Sequence, residues 1–207
     1  FVAAHTSIPV PRPLLCFRWR AASYILMTRV PGHDLEQVWE RLDAPARDAI
    51  LAQLAPYTAQ LRAIPSPHGP AVCSVLAGPV HDMRLPSAHR GPFPDEPAMN
   101  HVLRGFHDPR DLPPAVAAAH ARPHPIVFTH GDLAPRNVMV RGTTVTGIID
   151  WGAAGWFPAH WEYRKARWAV FDALADAWIP YLPRFIPPFP LEADADDYLD
   201  RRFWYPS

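Results

Sequence analysis

Three oxygen-bearing side chains surround a predicted β-hairpin in the C-terminal half of the chain. Asn137 precedes the first of two short β-prone segments, Gly142-Thr143 forms the turn signal between them, and Asp150 follows the second. Because antiparallel pairing folds the chain back on itself, we expect Asn137 and Asp150 to lie close together. Asp132 stands in a loop that opens toward the same end of the hairpin. Two carboxylates and one amide oxygen are therefore predicted to converge at the rim of a small sheet.

Oxygen ligands of this kind suit Mg²⁺, which proteins commonly hold with one or two carboxylates together with substrate phosphates. A carboxylate that orients and deprotonates a hydroxyl, beside an amide and a carboxylate that hold metal on the phosphates, is the minimum apparatus of phosphoryl transfer. A single aspartate in a turn is more simply a cap or an Asx-turn residue. The joint spacing of the three side chains is what favours a phosphate and metal site.

The elements that must position this site alternate short strands with helices. Strands are predicted over 14–19, 23–30 and 125–129, and Asp34 is predicted to cap a helix that ends near Leu42. A second helix, from about 45 to 64 and kinked at Pro56, has a buried stripe of apolar residues: Ile50, Leu54, Tyr57, Leu61 and Ile64. Further helices are predicted near 95–106 and 114–121. One long amphipathic helix is predicted after Asp150, carrying Trp161, Trp168, Phe171, Leu174 and Trp178 on one face, with a short exposed acidic helix over 192–200.

The composition excludes several classes of protein. Apolar residues make up 49% and charged residues 19% of the 207 residues, which favours a folded core. The formal net charge of zero predicts no nucleic-acid or membrane partner, and no apolar run is long enough for a membrane span. No signal peptide is visible, and the two cysteines are too few for a disulfide scaffold or a thiolate zinc site. We therefore expect a cytoplasmic protein.

Other side chains that bear chemistry have simpler explanations. The histidines between residues 65 and 125 match no compact metal signature, so we expect surface or loop positions for His68, His81, His89, His101, His107, His120 and His124. An aromatic cage for a quaternary amine remains open for Trp151 and Trp156. Exposure on a helix face is the favoured explanation for Glu162, Asp172 and Asp176, ahead of a pocket for a cationic substrate.

The loop and the hairpin resemble a known family. His130-x-Asp132-x-x-x-x-Asn137, followed by Ile148-Ile149-Asp150-Trp151, is similar to the catalytic and metal-binding motifs of the aminoglycoside phosphotransferase and choline kinase-like enzymes. The strings IVFTHGDLAPRNVMV and TGIIDWGAAGWFPAHWEY resemble the large fungal branch of that family. HTSIPVPRPL, YILMTRVPG and LRAIPSPHG are similar to its other typical segments, so the resemblance covers most of the chain.

This resemblance implies an α+β, protein kinase-like fold with ATP and Mg²⁺ in a cleft. Residues 1–28 would be a remnant of the N-terminal β lobe, and residues 29–207 a mostly helical C-terminal lobe with the catalytic hairpin. Asp132 would be the catalytic base, Asn137 and Asp150 the metal ligands that hold the nucleotide, and His130 a structural brace of the loop. Backbone groups of Thr28 and Val30 would meet adenine, and Arg136 would approach phosphate or remain solvated. The implied partner is a small-molecule acceptor, which the sequence does not identify.

Three features depart from the family pattern. The 27 residues before Thr28 contain neither the glycine-rich loop nor the phosphate-binding lysine, and the only lysine, Lys165, follows the metal motif. Gly152 replaces an acidic residue, and the chain begins with Phe1. We therefore expect a truncated, N-terminally incomplete kinase with impaired phosphotransfer, and local disorder or an exposed sheet edge near residues 1–25. Two alternatives are a pseudokinase-like binding module and a hydrolase metal site that uses His130 and Asp132.

Overall fold

The computed structural model of the chain describes residues 1–204, and side chains over 1–203. Its α-helices are α1 (Val2–His5), α2 (Leu35–Val38), α3 (Ala44–Ala63), α4 (Glu96–Leu103), α5 (Pro114–Ala121), α6 (Trp161–Trp168), α7 (Asp172–Trp178) and α8 (Pro190–Leu199). Its strands are β1 (Pro13–Trp19), β2 (Ala22–Met27), β3 (His33–Asp34), β4 (Cys73–Ser74), β5 (Ile126–Thr129), β6 (Val138–Arg141), β7 (Thr144–Ile148) and β8 (Gly155–Pro158). Among the described residues, no helix combines the length and apolarity that crossing a bilayer requires.

The strands form three small antiparallel sheets. Strands β1 and β2 pair only with each other, β6 lies between β3 and β7, and β8 lies between β4 and β5. The predicted catalytic hairpin is therefore present as β6–β7, one residue shorter at its end than the sequence pattern indicated. The loop after β5 connects the β4–β8–β5 sheet to this hairpin, so both sheets contribute to the predicted site.

Helix α3 supplies one wall of the core. The Asp43 side chain accepts a hydrogen bond from the Ala46 amide and caps the helix. The predicted stripe is buried at Ile50, Leu54 and Leu61. These residues belong to the same buried cluster as strand residues from β5 to β8. Asp34 likewise caps α2, as predicted, by accepting from the Gln37 amide.

The hairpin formed by β1 and β2 has no such wall. Every residue of both strands is exposed. Its apolar side chains are 42–60% exposed: Leu14, Leu15, Phe17, Trp19, Tyr24, Ile25, Leu26 and Met27. The exposed sheet expected from the sequence is therefore present within the range assigned to the remnant lobe.

The predicted long helix after Asp150 is wrong, because the chain breaks into α6 and α7. Phe171 is extended and Asp172 adopts a φ of 53°, a left-handed conformation that cannot continue an α-helix. Both helices contribute to one buried cluster, through Ala166 and Trp178, but their tryptophans have different neighbours. Trp161 packs with the cluster around Phe157, and Trp178 packs edge-on against Trp39.

The acidic helix predicted over 192–200 is present, but the prediction that it is exposed is wrong. Helix α8 occupies this position, but its residues Glu192 and Asp196 are buried, as is Asp200 just beyond it. Asp196 lies 3.3 Å from Nη1 of Arg84 and 2.8 Å from Nε of Arg164, and both arginines also contact Asp200. Buried arginines explain the difference, because paired charges tolerate burial that isolated charges do not.

His124 lies in a loop, one of the two positions predicted for the histidines, but it is not at the surface. Its side chain is 7% exposed and lies against Glu96, which is equally buried. His120 is half-buried, and burial lowers its pKa to about 4. His81, His89, His101 and His107 are exposed, as predicted.

Candidate active site

The loop between β5 and β6 folds back through one short turn. Pro135–Asn137 form a single 3-10 turn that leads directly into β6. Just after the second strand of the hairpin ends, the Ile149 amide donates to the Asn137 carbonyl at 2.9 Å. The backbone at Asn137 is thus bonded to the residue before Asp150, as the predicted hairpin geometry requires.

Asp132 and Asn137 are in direct contact. The Asn137 amide nitrogen donates to the Asp132 carboxylate at 2.8 Å and to the Asp132 carbonyl at 2.7 Å. The other carboxylate oxygen of Asp132 accepts from Nη2 of Arg136 at 2.6 Å. Because the Asn137 side-chain nitrogen donates to Asp132, the carbonyl oxygen Oδ1 is the side-chain atom that could act as a metal ligand.

Asp150 lines a cavity that Asp132 also lines. Its φ of 60° is left-handed, a conformation that aspartate adopts more readily than most residues. The side chain is exposed, and a cavity of about 240 Å³ is lined by Asp132, Arg136 and Asp150 together. A β-carbon at Gly152 would lie 3.4 Å from an Asp150 carboxylate oxygen, so glycine leaves this carboxylate unobstructed.

The His130 side chain connects the catalytic loop to the end of the hairpin. It is fully buried, its Nδ1 accepts from the Asp132 amide at 3.1 Å, and its Nε2 lies 3.0 Å from the Ile149 carbonyl. This pair of contacts requires the proton on Nε2. Burial lowers the pKa of His130 to about 4, so the ring is neutral. Backbone groups, which are not zinc ligands, occupy both ring nitrogens, and this argues against His130 as the metal ligand of the hydrolase alternative.

Glu162 is a site residue that sequence reasoning missed. Its carboxylate accepts from the backbone amides of His130 at 2.6 Å and Gly131 at 3.2 Å. Burial raises the pKa of Glu162 to about 7. The predicted exposure on a helix face is wrong because α6 starts against the catalytic loop. The one indication in the sequence is that Glu162 stands in the first turn of this helix.

Lys165 lines the cavity although it follows the metal motif in sequence. Its ammonium nitrogen is 3.1 Å from Oδ1 of Asp82, whose other oxygen accepts from the Trp161 indole. The ammonium also lies 4.7 Å from the centre of the Trp168 ring, which lines the cavity too. The only lysine of the chain is therefore buried beside the carboxylates of the site.

The segment predicted to meet adenine, residues 28–30 (called the connector below), does not line this cavity, and its Val30 lies against the hairpin. Thr28 is paired with Arg12 twice, through its amide and its hydroxyl, both at 2.9 Å. Val30 packs on Gly147 of β7 so closely that a β-carbon there would lie 2.6 Å from a Val30 methyl group. The connector thus approaches the strand that ends beside Asp150.

The two tryptophans that remained open differ in exposure. Trp156 is completely buried and contacts Phe128, so it belongs to the core and cannot form part of a ligand cage. Trp151 is half-buried, and its indole nitrogen donates to the Ile148 carbonyl at 2.9 Å. Its ring lies over His130, with centroids 4.4 Å apart.

Comparisons with known proteins agree on one family. The family model described as "Phosphotransferase enzyme family" matches residues 1–199. A thermostable mutant of aminoglycoside phosphotransferase APH(4)-Ia superposes with a TM-score of 0.62 and 17% identity, over 97% of this chain and 73% of that chain. ADP-bound aminoglycoside phosphotransferase APH(2'')-Ib superposes with a TM-score of 0.55 and 13% identity, over 95% and 65%. No curated protein matches the chain. The structural similarity confirms the predicted α+β, protein kinase-like fold.

Proposed function

This chain belongs to the phosphotransferase enzyme family, and from that premise we propose that it transfers the terminal phosphate of ATP to a hydroxyl group of a small molecule. The observation that carries the proposal is the pairing of Asp132 with Asn137 beside the cavity that Asp150 also lines. These are the three side chains that phosphoryl transfer needs at one place.

Asp132 is proposed as the catalytic base. Its two carboxylate oxygens are held by Arg136 and Asn137, which fixes the orientation of the carboxylate at the cavity wall. His130 accepts from the Asp132 amide and Glu162 accepts from the two amides before it, so the backbone of the loop is held as well. In this position Asp132 orients the acceptor hydroxyl and takes up its proton as the new oxygen–phosphorus bond forms.

Mg²⁺ fits the donor set of this site. The exposed Asp150 carboxylate and the Oδ1 of Asn137 are hard oxygen ligands that would hold the ion together with water and phosphate. When bound, Mg²⁺ neutralises charge on the phosphates. The chain's own contribution is to keep Asn137 turned by its two bonds to Asp132.

The nucleotide and the acceptor are proposed to approach from different sides. Val30, packed on Gly147, places the connector next to β7, where its backbone can meet a base. The amide of Thr28 already donates to Arg12, which leaves its carbonyl group for such a contact. The acceptor side is then the part of the cavity lined by Met83 and Trp168. A structure of APH(4)-Ia with ADP and hygromycin B has a TM-score of 0.60, and it supports a small-molecule acceptor.

A binding module without catalysis is the second candidate. The observation that favours it is the absence of any glycine before Gly32 and of any lysine before Lys165, so no sequence in residues 1–31 matches the segments that cover and clamp phosphates in this family. Phosphate groups held only from the Asp150 side are positioned less well, and small errors of position reduce rates strongly. For the first candidate, the same absence predicts that phosphate transfer by these 207 residues is slow.

The test combines nucleotide binding with turnover. Calorimetry with ATP is run with and without Mg²⁺, and phosphate transfer is followed against a panel of small hydroxyl compounds. The parent chain is expected to bind ATP only with the metal and to give slow transfer. Asp150→Asn is expected to lose the metal-dependent binding, whereas Asp132→Asn keeps binding and loses transfer by roughly 10²- to 10⁴-fold.

Asp111→Asn, at an exposed carboxylate outside the cavity, is the matched control and is expected to behave as the parent. Transfer that persists at the parent rate in Asp132→Asn contradicts the catalytic proposal. Metal-dependent ATP binding without transfer to any acceptor supports the binding module instead. Equal ATP binding with and without Mg²⁺ contradicts both.

A further inference from the structure

A second cluster of ligand-type side chains lies at the opposite end of the β5–β8 strand pair. Ile126 pairs with Pro158, so two residues further along the ladder His124 stands opposite His160. The two imidazole rings are 4.7 Å apart between centroids. The catalytic loop leaves the other end of β5, after Thr129.

Glu96, the first residue of α4, closes the cluster. Its Oε1 is 2.8 Å from Nδ1 of His124 and 3.2 Å from Nε2 of His160. The side chains of all three residues are 6–7% exposed. The three ligand atoms lie within 4.8 Å of one another, and they are the only such group among the described residues. A tetrahedral ion with bonds of about 2.0–2.1 Å needs ligand atoms about 3.3 Å apart, close to two of these distances.

Glu192 lies on the far side of the His124 ring. Its Oε1 is 3.3 Å from Nε2 of His124, and the side chain is 4% exposed. Imidazoles that bind a metal through one nitrogen commonly donate the other N–H to a carboxylate, which fixes the ring. Nη1 of the exposed Arg122 lies 3.3 Å from the same Glu192 oxygen.

We propose that Glu96, His124 and His160 bind one Zn²⁺ ion, with Glu192 orienting His124. Two imidazoles and one carboxylate are a known protein ligand set for zinc, and imidazole disfavours Mg²⁺ and Ca²⁺. A cavity of about 240 Å³ lined by Glu96, His120 and His124 gives the ion a path from solvent and room for a fourth ligand.

The bound ion would connect three elements that otherwise meet through hydrogen bonds. Glu96 begins α4, His124 precedes β5, and His160 precedes α6. Two residues after His160, Glu162 holds the amides of the catalytic loop. The ion would therefore fix the start of α6 and, through it, the loop that carries Asp132.

The experiment measures zinc binding directly, without reference to phosphate transfer. The chain is prepared without a histidine tag, and Zn²⁺ is titrated in competition with a chromophoric chelator in excess Mg²⁺, which occupies oxygen-ligand sites. Binding of one Zn²⁺ per chain is expected. X-ray absorption at the zinc edge should show two imidazoles and a light-atom shell at about 2.0–2.1 Å.

Three variants test His124 as a ligand and Glu192 as the carboxylate that orients it. His124→Gln is expected to weaken zinc binding by more than the roughly 10- to 100-fold that loss of an outer carboxylate costs, and Glu192→Gln by that smaller amount. His120 lines the same cavity, but its ring nitrogen is engaged by Arg104 at 3.1 Å. The His120→Gln variant should therefore bind zinc as the parent does.

The proposal is overturned by any of three results: no stoichiometric uptake by the parent chain, undiminished affinity in His124→Gln, or an equal loss in His120→Gln. The absorption spectrum of the parent decides the matter independently if a variant does not fold. A zinc shell without imidazole scattering also overturns it.

Discussion

The chain contains two β-hairpins that have similar two-residue turns but differ in length, composition and burial. In the first, β1 and β2 are joined by Arg20-Ala21, and in the second, β6 and β7 are joined by Gly142-Thr143. Both turns place their first residue at positive φ, 53° at Arg20 and 59° at Gly142. The first hairpin is longer and more apolar, yet every residue of it is exposed, whereas the second is largely buried.

The difference lies in what surrounds each hairpin. The second hairpin is hydrogen-bonded to three neighbouring segments. Strand β3 pairs with β6, and the Ile148 amide donates to the Pro9 carbonyl at 2.8 Å. The Gln53 side chain of α3 donates to the Thr143 carbonyl and accepts from the Val145 amide. The ring contacts of the first hairpin, among the described residues, are internal to it, chiefly Phe17 stacked on Tyr24 at 5.2 Å. Apolar, β-prone sequence is sufficient to form a hairpin, but only neighbouring elements hold one in place.

The largest expected contrast is in hydrogen exchange. Amides of β6 and β7 should exchange only through global unfolding, whereas those of β1 and β2 should exchange through local opening, since an isolated hairpin is marginally stable. With ordinary domain stability this is a difference of roughly 10³-fold or more in rate. Exchange of the 207-residue monomer, followed by mass spectrometry or NMR, measures it. Comparable protection of both hairpins contradicts the comparison.

A matched pair of isoleucine substitutions tests the same contrast as stability. Ile148 in β7 is 1% exposed and Ile25 in β2 is 60% exposed. Ile148→Ala leaves a cavity in the core and should lower the free energy of unfolding by about 2–5 kcal/mol. Ile25→Ala should change it by less than about 0.5 kcal/mol. Urea denaturation of both variants decides, and a cost above 1.4 kcal/mol at Ile25, a tenfold change in the equilibrium constant, shows that the first hairpin is covered in solution.

The same contrast explains how far the sequence could predict this molecule. The second hairpin, its turn and the convergence of Asp132 with Asn137 follow from local patterns and register, and the structure reproduces them. The cap at Asp34, the stripe of α3 and the α5 bounds 114–121 are equally local. Each depends on residues that are close in sequence.

The errors fall where distant residues decide burial. Glu162 was assigned to a surface, but it meets amides 31 and 32 residues away. The acidic face of α8 looked solvated because Arg84, its partner, stands more than 100 residues earlier. His124 and Glu96 are 28 residues apart in sequence and become neighbours only in the folded chain. A single sequence does not show which charged residues become neighbours, so their burial is not predictable from it.

Burial raises the pKa of Glu162, which allows its coverage to be tested by titration. Burial raises its pKa from 4.5 to about 7, so the folded state binds more protons than the unfolded state between these values. Its contribution to stability is complete below pH 4.5 and is lost as the pH rises through about 7. Glutamine does not titrate. Between these pH values, the stability of Glu162→Gln relative to the parent should therefore rise by on the order of 3 kcal/mol.

Urea denaturation of both chains at several pH values in this window measures the effect. Using the difference between the two chains removes the opposite slope of His130, whose lowered pKa of about 4 makes it stabilising above pH 6.5 and less so as the pH falls. A constant difference across the window would show that Glu162 titrates as an exposed carboxylate does and is not covered.

The smallest expected effects come from exchanging the turn residues. The left-handed conformation costs a residue with a side chain about 1–2 kcal/mol, and type II′ turns reserve this first position for glycine. Gly142→Ala should therefore lower the global stability by about 1 kcal/mol, because the second hairpin is part of the cooperative core, although a β-carbon at Gly142 meets nothing within 4 Å. Arg20→Gly removes the same strain from the first hairpin and should slow its local hydrogen exchange several-fold, while the urea midpoint stays unchanged. A shift in that midpoint would mean that the two hairpins unfold together, and the contrast between them would then concern exposure alone and not stability.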